Sequence, residues 1–210
     1  MISVSILDSN LLNIEKSLTE LKNNNINHLH LDILDTSLVP NISFGPNIIN
    51  QILKYDFIFD VHLMVKDPIT ILQLLDLEKI DIVFIHYEIN NMLHVVEFLV
   101  KNNKKIGLTI SPNISVKTIF SLPERILQNV NTILIMTVYP GFGNQKFINE
   151  CAEKIKMIDK KRYSVAVDGG ISINTIRNVK GYDKIVIGSA YFKAENKKVF
   201  LNEIEEILKK

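Results

Sequence analysis

The sequence predicts an α/β protein that folds as a single closed barrel of eight parallel strands, the (β/α)8 or TIM barrel. Short runs rich in Ile, Val, Leu and Phe recur eight times, and segments with apolar residues three and four positions apart lie between them. This alternation is typical of parallel strands joined by crossover helices. With 210 residues, the chain is near the short limit for a fold that usually has about 250 residues. We therefore expect residues 1–210 to form one domain.

The predicted elements follow in regular order along the chain. The strands are residues 2–7, 28–33, 57–61, 82–86, 105–109, 132–136, 164–167 and 184–187. Amphipathic periodicity predicts helices over residues 11–24, 92–101, 147–160 and 198–208. Asparagines at 23–25 and 102–103 fall where two of these helices should end, as expected for a residue common in turns and caps. Eight such units in a small chain favour closure into a barrel over an open sheet.

The composition is that of an ordinary globular protein, with 47% hydrophobic residues, 22% charged residues and a formal net charge of +1. No basic stripe indicates a nucleic-acid partner. Apolar stretches are far shorter than the roughly 18 residues of a membrane span, and no basic segment precedes the first apolar residues. The single Cys151 excludes an internal disulfide framework. We expect a cytoplasmic protein with neither a nucleic-acid nor a membrane partner.

Histidine and aspartate side chains stand at the carboxyl ends of three predicted strands. His30 and Asp32 are two residues apart, so they project to the same side of their strand. His62 ends the third strand and Asp168 ends the seventh. Carboxyl ends of parallel strands meet at the mouth of a barrel, where ligands bind. Two imidazoles and two carboxylates, without thiolate, suit one Zn²⁺, Fe²⁺, Mn²⁺ or Co²⁺ ion with open coordination positions.

Glycines near the ends of the last strands predict a phosphate site. Gly169 and Gly170 follow strand seven, and Gly188 and Ser189 follow strand eight. Barrel enzymes commonly bind phosphate with these loops, where backbone N–H groups face the anion. The Gly141-Phe142-Gly143 loop after strand six could close over the ligand. These features together favour a phosphorylated small molecule as the ligand.

Five segments resemble, in order, the motifs of the ribulose-phosphate 3-epimerase family. They are HLDILDTSLVPNISFG at 30–45, DVHLMV at 60–65, MTVYPGFGNQKF at 136–147, VDGGI at 167–171 and GSA at 188–190. The resemblance runs from Ser5 to about Phe192, which is nearly the whole chain. It is specific, because the VPN and PGFG segments meet no general requirement of a barrel.

The resemblance implies a barrel of the ribulose-phosphate-binding type whose residues 1–210 are the catalytic domain of an isomerase. The implied reaction interconverts D-ribulose 5-phosphate and D-xylulose 5-phosphate by moving the C3 proton through an enediolate, as in the pentose phosphate pathway. It implies a homo-oligomer in which His30, Asp32, His62 and Asp168 bind the metal, with Asp32 and Asp168 as the acid/base pair. The implied substrate-binding residues are Ser5, Leu34, His62, Met64, Met136, Gly141, Phe142, Gly143, Gly169, Gly170, Gly188 and Ser189.

The chain departs from the family pattern at five places, one of which is Ile114-Ser115, where the family has Thr-Pro. Leu34 replaces a methionine of similar volume. Thr36 replaces a glycine, and because a β-branched residue tolerates positive φ poorly, we expect the loop after strand two to follow a different path. Asn144 replaces a glycine, and asparagine adopts left-handed geometry more readily than most residues. Ser111 stands where the family has asparagine.

Other interpretations remain open from the sequence alone. Asp60 could orient a ligand histidine or simply be satisfied inside the protein, and His86 and Glu88 could support the site or be structural. The chain could instead epimerise a six-carbon ketose phosphate such as D-allulose 6-phosphate. It could also be a metal-free lyase or decarboxylase of the same architecture, or a sugar-phosphate-binding barrel without catalysis.

Overall fold

The computed structural model describes residues 1–208, which form the predicted closed barrel. All neighbouring strands pair in parallel, and the last strand pairs with the first. The strands are β1 (Ile2–Ser5), β2 (His28–Leu34), β3 (Ile58–Met64), β4 (Ile80–His86), β5 (Lys105–Ile110), β6 (Val130–Met136), β7 (Ser164–Asp168) and β8 (Lys184–Ile187). The fold class predicted from the alternation of strands and helices is confirmed.

Helical segments cover the outside of the barrel between the strands. The α-helices are α1 (Ile14–Asn23), α2 (Pro46–Ile52), α3 (Pro68–Leu72), α4 (Met92–Lys101), α5 (Val116–Phe120), α6 (Glu124–Leu127), α7 (Asn149–Ala152), α8 (Ser189–Lys193) and α9 (Lys197–Leu208). Single turns of 3₁₀ helix lie at Leu11–Asn13, Leu77–Lys79 and Ile176–Asn178, and a longer one at Glu153–Met157. Within residues 1–208, no helix is both long and apolar enough to cross a bilayer.

Two predicted helices differ in detail from the observed ones. The helix expected over residues 147–160 is the short α7 followed by 3₁₀ helix, and it ends at Met157 because Ile158 takes extended backbone (φ −89°, ψ 131°) and is buried. The segment expected to be helical over residues 11–24 begins with a 3₁₀ turn that Asn10 caps, and α1 starts only at Ile14. Apolar periodicity identifies the helical face, but it does not distinguish α from 3₁₀ hydrogen bonding.

Alternating side chains on each strand divide the core into two layers. Leu31, Val61 and Ile85 belong to the large apolar layer between strands and helices. Residues of the opposite parity, such as Phe84 and Leu134, fill the inside of the barrel. This alternation is the reason that the polar residues at strand ends all point inward.

Glycine is required at position 107 because the ring of Phe84 fills the space beside it. A Cβ built there would lie 2.0 Å from a ring carbon of Phe84. The aromatic side chain therefore occupies the barrel interior directly below the mouth, next to the His30 and His62 rings, whose centroids lie 5.8 and 6.4 Å away.

The opposite end of the barrel interior is closed by a buried ion pair. Asp60, which has no solvent exposure, accepts hydrogen bonds from Lys184 Nζ at 2.7 and 2.8 Å and from Ser3 Oγ at 3.1 Å. Of the two interpretations of Asp60, the structure therefore favours internal satisfaction. The ion pair joins β3 to β8 across the barrel and lies at the end away from the mouth.

Candidate active site

Four side chains from three strands meet at the mouth of the barrel. One ligand atom each of His30, Asp32, His62 and Asp168 lies within 4.8 Å of all the others. Asp32 and His62 are directly paired in the β2–β3 register, and His62 Nδ1 lies 3.0 Å from Asp32 Oδ1. Asp168 comes from β7, and its Oδ2 is 3.9 Å from both His30 Nε2 and His62 Nδ1. The structure brings together all four predicted ligands.

Unsatisfied polar atoms indicate that this cluster fits a metal ion. His30 is fully buried, and neither of its ring nitrogens has a hydrogen-bond partner among residues 1–208. A buried polar atom without a partner is costly, by about 1–3 kcal/mol. A divalent cation at the cluster would satisfy His30 Nε2 and neutralise two carboxylates that lie close together. The donor set of imidazole and carboxylate, with no thiolate, suits a first-row divalent metal.

The two carboxylates have opposite pKa shifts. Burial acts to raise the pKa of Asp32, but the charge of the nearby His30 and the hydrogen bond with His62 hold it well below its usual range. Burial raises the pKa of Asp168 to about 7, with a further increase from Asp32, against the lowering effect of His30. Near neutral pH, the site therefore holds one carboxylate that is firmly ionised and one that is close to its midpoint.

The two imidazoles also differ. Burial lowers the pKa of His62 to about 4, although its hydrogen bond with Asp32 opposes the shift. Burial likewise acts to lower the pKa of His30, but Asp32 and then Asp168 raise it above its ordinary value. His62 is thus neutral at physiological pH and can offer an unprotonated ring nitrogen to a cation.

A cleft opens from the cluster to the solvent. Asp32 and Asp168 line it, together with most of the residues expected to contact a substrate: Ser5, Met64, Met136, Gly141, Phe142, Gly143, Gly169, Gly170, Gly188 and Ser189. Ser5 Oγ donates a hydrogen bond of 2.5 Å to Asp32 Oδ2 and so orients that carboxylate. His30 and His62 are fully buried below the cleft. Leu34 lies beside it, in a small apolar cluster with Val39 and Met64.

The loop after β6 folds over this cleft. Asn41 Nδ2, from the loop after β2, donates a 2.7 Å hydrogen bond to the carbonyl oxygen of Gly141. Gln145 Nε2 donates to the carbonyls of Tyr139 and Phe142, at 2.5 and 2.8 Å, and thereby stabilises the turn from within. Phe142 at its tip is 50% exposed. The loop, residues 137–148, is thus a compact flap that is tied to the rest of the protein by the Asn41 amide and by Lys193 Nζ, which donates to Asn144 Oδ1.

Positive φ angles recur in the loops around the cleft. Gly169 (φ 112°) approaches Val138 so closely that a Cβ would lie 2.5 Å from its side chain. Asn144 has φ 57°, so it adopts the left-handed geometry expected of it. Thr36 has φ 71°, so this β-branched residue adopts a left-handed backbone although it tolerates positive φ poorly. The different path of its loop stays a prediction.

Several residues of the site were not expected from the sequence. Leu7, Asp8, Val138, Tyr139, Pro140, Asn144, Gln145 and Ile171 also line the cleft. Burial raises the pKa of the Asp8 carboxyl, which lies against Gly143 in the flap. The position of Asp8 just beyond the carboxyl end of β1 is a signal that could have identified it.

Comparison with known sequences decides the family. Residues 1–192 match the model of the Ribulose-phosphate 3 epimerase family. The chain belongs to the ribulose-phosphate 3-epimerase family. It is 42% identical over 205 residues to the ribulose-phosphate 3-epimerase of Encephalitozoon cuniculi, covering 98% of this chain and 93% of that protein. Identity to the Bacillus subtilis enzyme of the same name is 29% over 214 residues, with 97% of each chain covered.

Solved structures with this fold include other sugar-phosphate enzymes. The 3-hexulose-6-phosphate synthase of Salmonella typhimurium superposes with a TM-score of 0.71 at 16% identity, covering 99% of this chain and 97% of that chain. The 3-keto-L-gulonate-6-phosphate decarboxylase of Vibrio cholerae gives a TM-score of 0.70 at 12% identity, covering 100% and 97%. At such identities, the similarity is one of fold alone. The residues that line the cleft of this epimerase-family member all lie within residues 1–192.

Proposed function

We propose that this protein is a metal-dependent epimerase that interconverts D-ribulose 5-phosphate and D-xylulose 5-phosphate at C3. One observation carries the proposal: the buried cluster of His30, Asp32, His62 and Asp168 lies at the base of a cleft that is lined with glycines on one side. A mixed cluster of this kind suits a divalent ion, and the glycine loops suit a phosphate group. Membership of the family supports the reaction and the choice of substrate.

His30, Asp32, His62 and Asp168 are the residues that would hold the divalent ion, be it Zn²⁺, Fe²⁺, Mn²⁺ or Co²⁺. When bound, such an ion stabilises negative charge on oxygens next to the carbon that loses its proton. His30 supports this assignment because its ring nitrogens have no other partner among residues 1–208. His62 supports it because its Nδ1 faces both carboxylates.

Epimerisation needs two proton carriers, one for each face of C3. Asp32 and Asp168 meet this need because they reach the cleft from β2 and β7, which are separated by β8 and β1 in the barrel. One carboxylate takes the C3 proton and leaves an enediolate, and the other returns a proton to the opposite face. Ser5, through its hydrogen bond to Asp32 Oδ2, keeps one oxygen of that carboxylate in place. Positioned acid/base groups contribute about 10²–10⁴-fold to rates.

The remaining cleft residues position the sugar and its phosphate. Met64 and Met136, with Leu34 beside them, form an apolar floor next to the reacting carbon, and His62 closes it from below. Backbone N–H groups near the glycines after β7 and β8 face the phosphate end. These phosphate contacts are assigned to Gly169, Gly170, Gly188 and Ser189, together with Gly141, Phe142 and Gly143 of the flap.

Turnover of matched substrates tests the function. The purified protein is assayed with D-ribulose 5-phosphate and with D-allulose 6-phosphate, before and after chelation, and after readdition of each candidate metal. We expect faster turnover of the five-carbon substrate, lost on chelation and restored by a divalent ion. Preference for the six-carbon substrate would identify the other 3-epimerase. Turnover that survives complete chelation would contradict the metal dependence, and tight binding without turnover of either substrate would indicate a non-catalytic barrel.

The cellular setting belongs to the same proposal. A barrel with net charge +1 and a family role in sugar-phosphate metabolism fits a cytoplasmic enzyme of the pentose phosphate pathway, with no nucleic-acid or membrane partner. Residues 1–210 are proposed to act as one catalytic domain within a homo-oligomer. Light scattering coupled to size-exclusion chromatography would give the number of subunits, and a monomer that is fully active would contradict the homo-oligomer.

A further inference from the structure

A second histidine, His86, contacts His62 at Nε2, the ring nitrogen that does not face the carboxylates. His62 Nε2 and His86 Nε2 are 2.8 Å apart, and their ring planes are within 10° of parallel. Neither side chain has any solvent exposure. The Nε2 atoms therefore share a hydrogen bond in which one nitrogen must carry the proton and the other must accept it.

The far side of His86 meets two further polar groups. Its Nδ1 lies 3.2 Å from Ser111 Oγ and 3.7 Å from Glu88 Oε2. That carboxylate oxygen is buried and has no hydrogen-bond partner among residues 1–208. The serine hydroxyl can accept a hydrogen bond from His86 Nδ1 or donate one to it. Hydrogen-bond contacts therefore run from Asp32 through His62 and His86 to Ser111, and Glu88 Oε2 lies just beyond hydrogen-bond distance of His86.

A partly buried lysine, Lys154, holds the loop that carries Ser111. Lys154 Nζ donates to the carbonyl oxygens of Ser111, Pro112 and Ile114, at 2.9, 2.9 and 2.8 Å. Three charge-assisted hydrogen bonds to carbonyl oxygens of the same loop restrict the movement of that loop. The position of the Ser111 hydroxyl is thus set by the fold before any ligand enters the cleft.

We propose that His86 is a positioning residue that selects the tautomer of His62. A histidine nitrogen binds a metal only when it is unprotonated, and Nδ1 of His62 is the nitrogen that faces Asp32 and Asp168. With a cation at the cluster, the proton of His62 must reside on Nε2, where His86 accepts the hydrogen bond, whereas without a cation Nδ1 can donate to Asp32 Oδ1. His86 in turn carries its own proton on Nδ1 and donates a hydrogen bond to Ser111 Oγ. This inference rests on the proposed function only in taking His62 as a metal ligand.

Metal binding to purified variants tests the role without using turnover. His86→Leu removes the acceptor, whereas His86→Gln retains an amide oxygen that can accept the His62 proton. Loss of such a supporting hydrogen bond typically weakens metal affinity by about 10–100-fold. We expect this loss for His86→Leu in competition titrations of Co²⁺ against a chromophoric chelator, with recovery to within a few-fold of wild type for His86→Gln.

Thr109→Val is the matched control for these variants. Thr109 is the β5 partner of His86, is fully buried, and has no side-chain hydrogen bond among residues 1–208. Its nearly isosteric replacement changes packing beside His86 but leaves the nitrogen chain intact, so Co²⁺ affinity should stay at the wild-type value. Affinity in His86→Leu equal to that of the control would overturn the proposal.

Nitrogen-15 NMR of the Zn²⁺-loaded wild-type protein gives the tautomers directly and does not depend on how any variant folds. We expect a proton on Nε2 of His62 and on Nδ1 of His86. Protonation of His86 on Nε2 would overturn the proposal. If the tautomers are as expected but no ketose phosphate is turned over, the proposed function fails while the role of His86 stands.

Discussion

At the residue scale, the contrast between Asp32 and Asp168 is the main feature of the site. The pKa of Asp32 lies well below its usual range because two histidines contact it, whereas burial raises the pKa of Asp168 to about 7. Residue types at strand ends allowed both carboxylates to be predicted as partners in one site. Their different surroundings could not be predicted, because they depend on distances between β2, β3 and β7 that only the closed barrel sets.

Replacing either carboxylate by its amide should abolish turnover. Asp32→Asn and Asp168→Asn each remove one proton carrier and one negative ligand but keep the shape of the side chain. We expect kcat to fall by at least about 10²–10⁴-fold in a coupled assay with metal-replete enzyme. The far-ultraviolet circular dichroism spectrum should be unchanged. Near-native turnover of either variant would show that the two-acid assignment is wrong.

Metal affinity should depend on pH through Asp168. A carboxyl with a pKa of about 7 is increasingly protonated as the pH falls, and a cation must displace that proton to bind. Because His30 also has a raised pKa and must be unprotonated to bind, apparent Co²⁺ affinity should fall by at least about tenfold for each pH unit below 7. Calorimetry in buffers of different ionisation enthalpy would count the released protons. Equal affinity at pH 6 and pH 8 would contradict the raised pKa.

At the element scale, the loop after β2 shows what local patterns can and cannot predict. The departure from glycine at Thr36 predicts a different path for this loop, which stays a prediction, and the structure shows that the threonine takes φ 71°. Thr36 N donates to the Asn41 carbonyl at 3.1 Å, and Ser37 N donates to Asp35 Oδ1 at 2.9 Å. Hydrogen bonds on both sides of Thr36 thus hold the loop in a shape that keeps a β-branched residue at a strained, positive φ.

Relief of this strain should stabilise the protein. A left-handed conformation costs a non-glycine residue about 1–2 kcal/mol, and glycine loses about 0.5–1 kcal/mol more entropy on folding. Thr36→Gly should therefore raise the free energy of unfolding by about 0.5–1 kcal/mol in urea titrations. Thr36→Ala retains the Cβ and serves as the control, with a smaller change expected. Destabilisation by Thr36→Gly would mean that the threonine is not strained.

At the scale of the whole molecule, the two ends of the barrel have separate roles. The mouth holds the ligand cluster and the flap, and the opposite end holds the buried pair of Asp60 and Lys184. Such a division is general in barrel enzymes. Closure of the barrel could be predicted because strand and helix alternate eight times. The contact between β3 and β8 through the interior could not be predicted, because Asp60 and Lys184 are 124 positions apart in the sequence.

Breaking the ion pair of Asp60 and Lys184 should lower the free energy of unfolding but leave kcat nearly unchanged. Lys184→Met leaves the Asp60 carboxylate buried without its cation, and removal of one member of such a pair typically costs about 3–5 kcal/mol. We expect this loss in denaturant titrations, while kcat of the folded fraction at 25 °C stays near the wild-type value. Adding Asp60→Leu to Lys184→Met should recover much of the loss. A double variant as unstable as the single one would argue against an uncompensated charge.

The buried cluster is proposed to move the C3 proton of a ketose phosphate with the help of a divalent ion. Proton NMR of D-ribulose 5-phosphate in D₂O, with the purified protein before and after chelation, is the measurement that tests this role. We expect D-xylulose 5-phosphate carrying deuterium at C3, lost on chelation and restored by a divalent ion. A metal-replete protein that leaves the C3 hydrogen of both five- and six-carbon ketose phosphates unexchanged would contradict it.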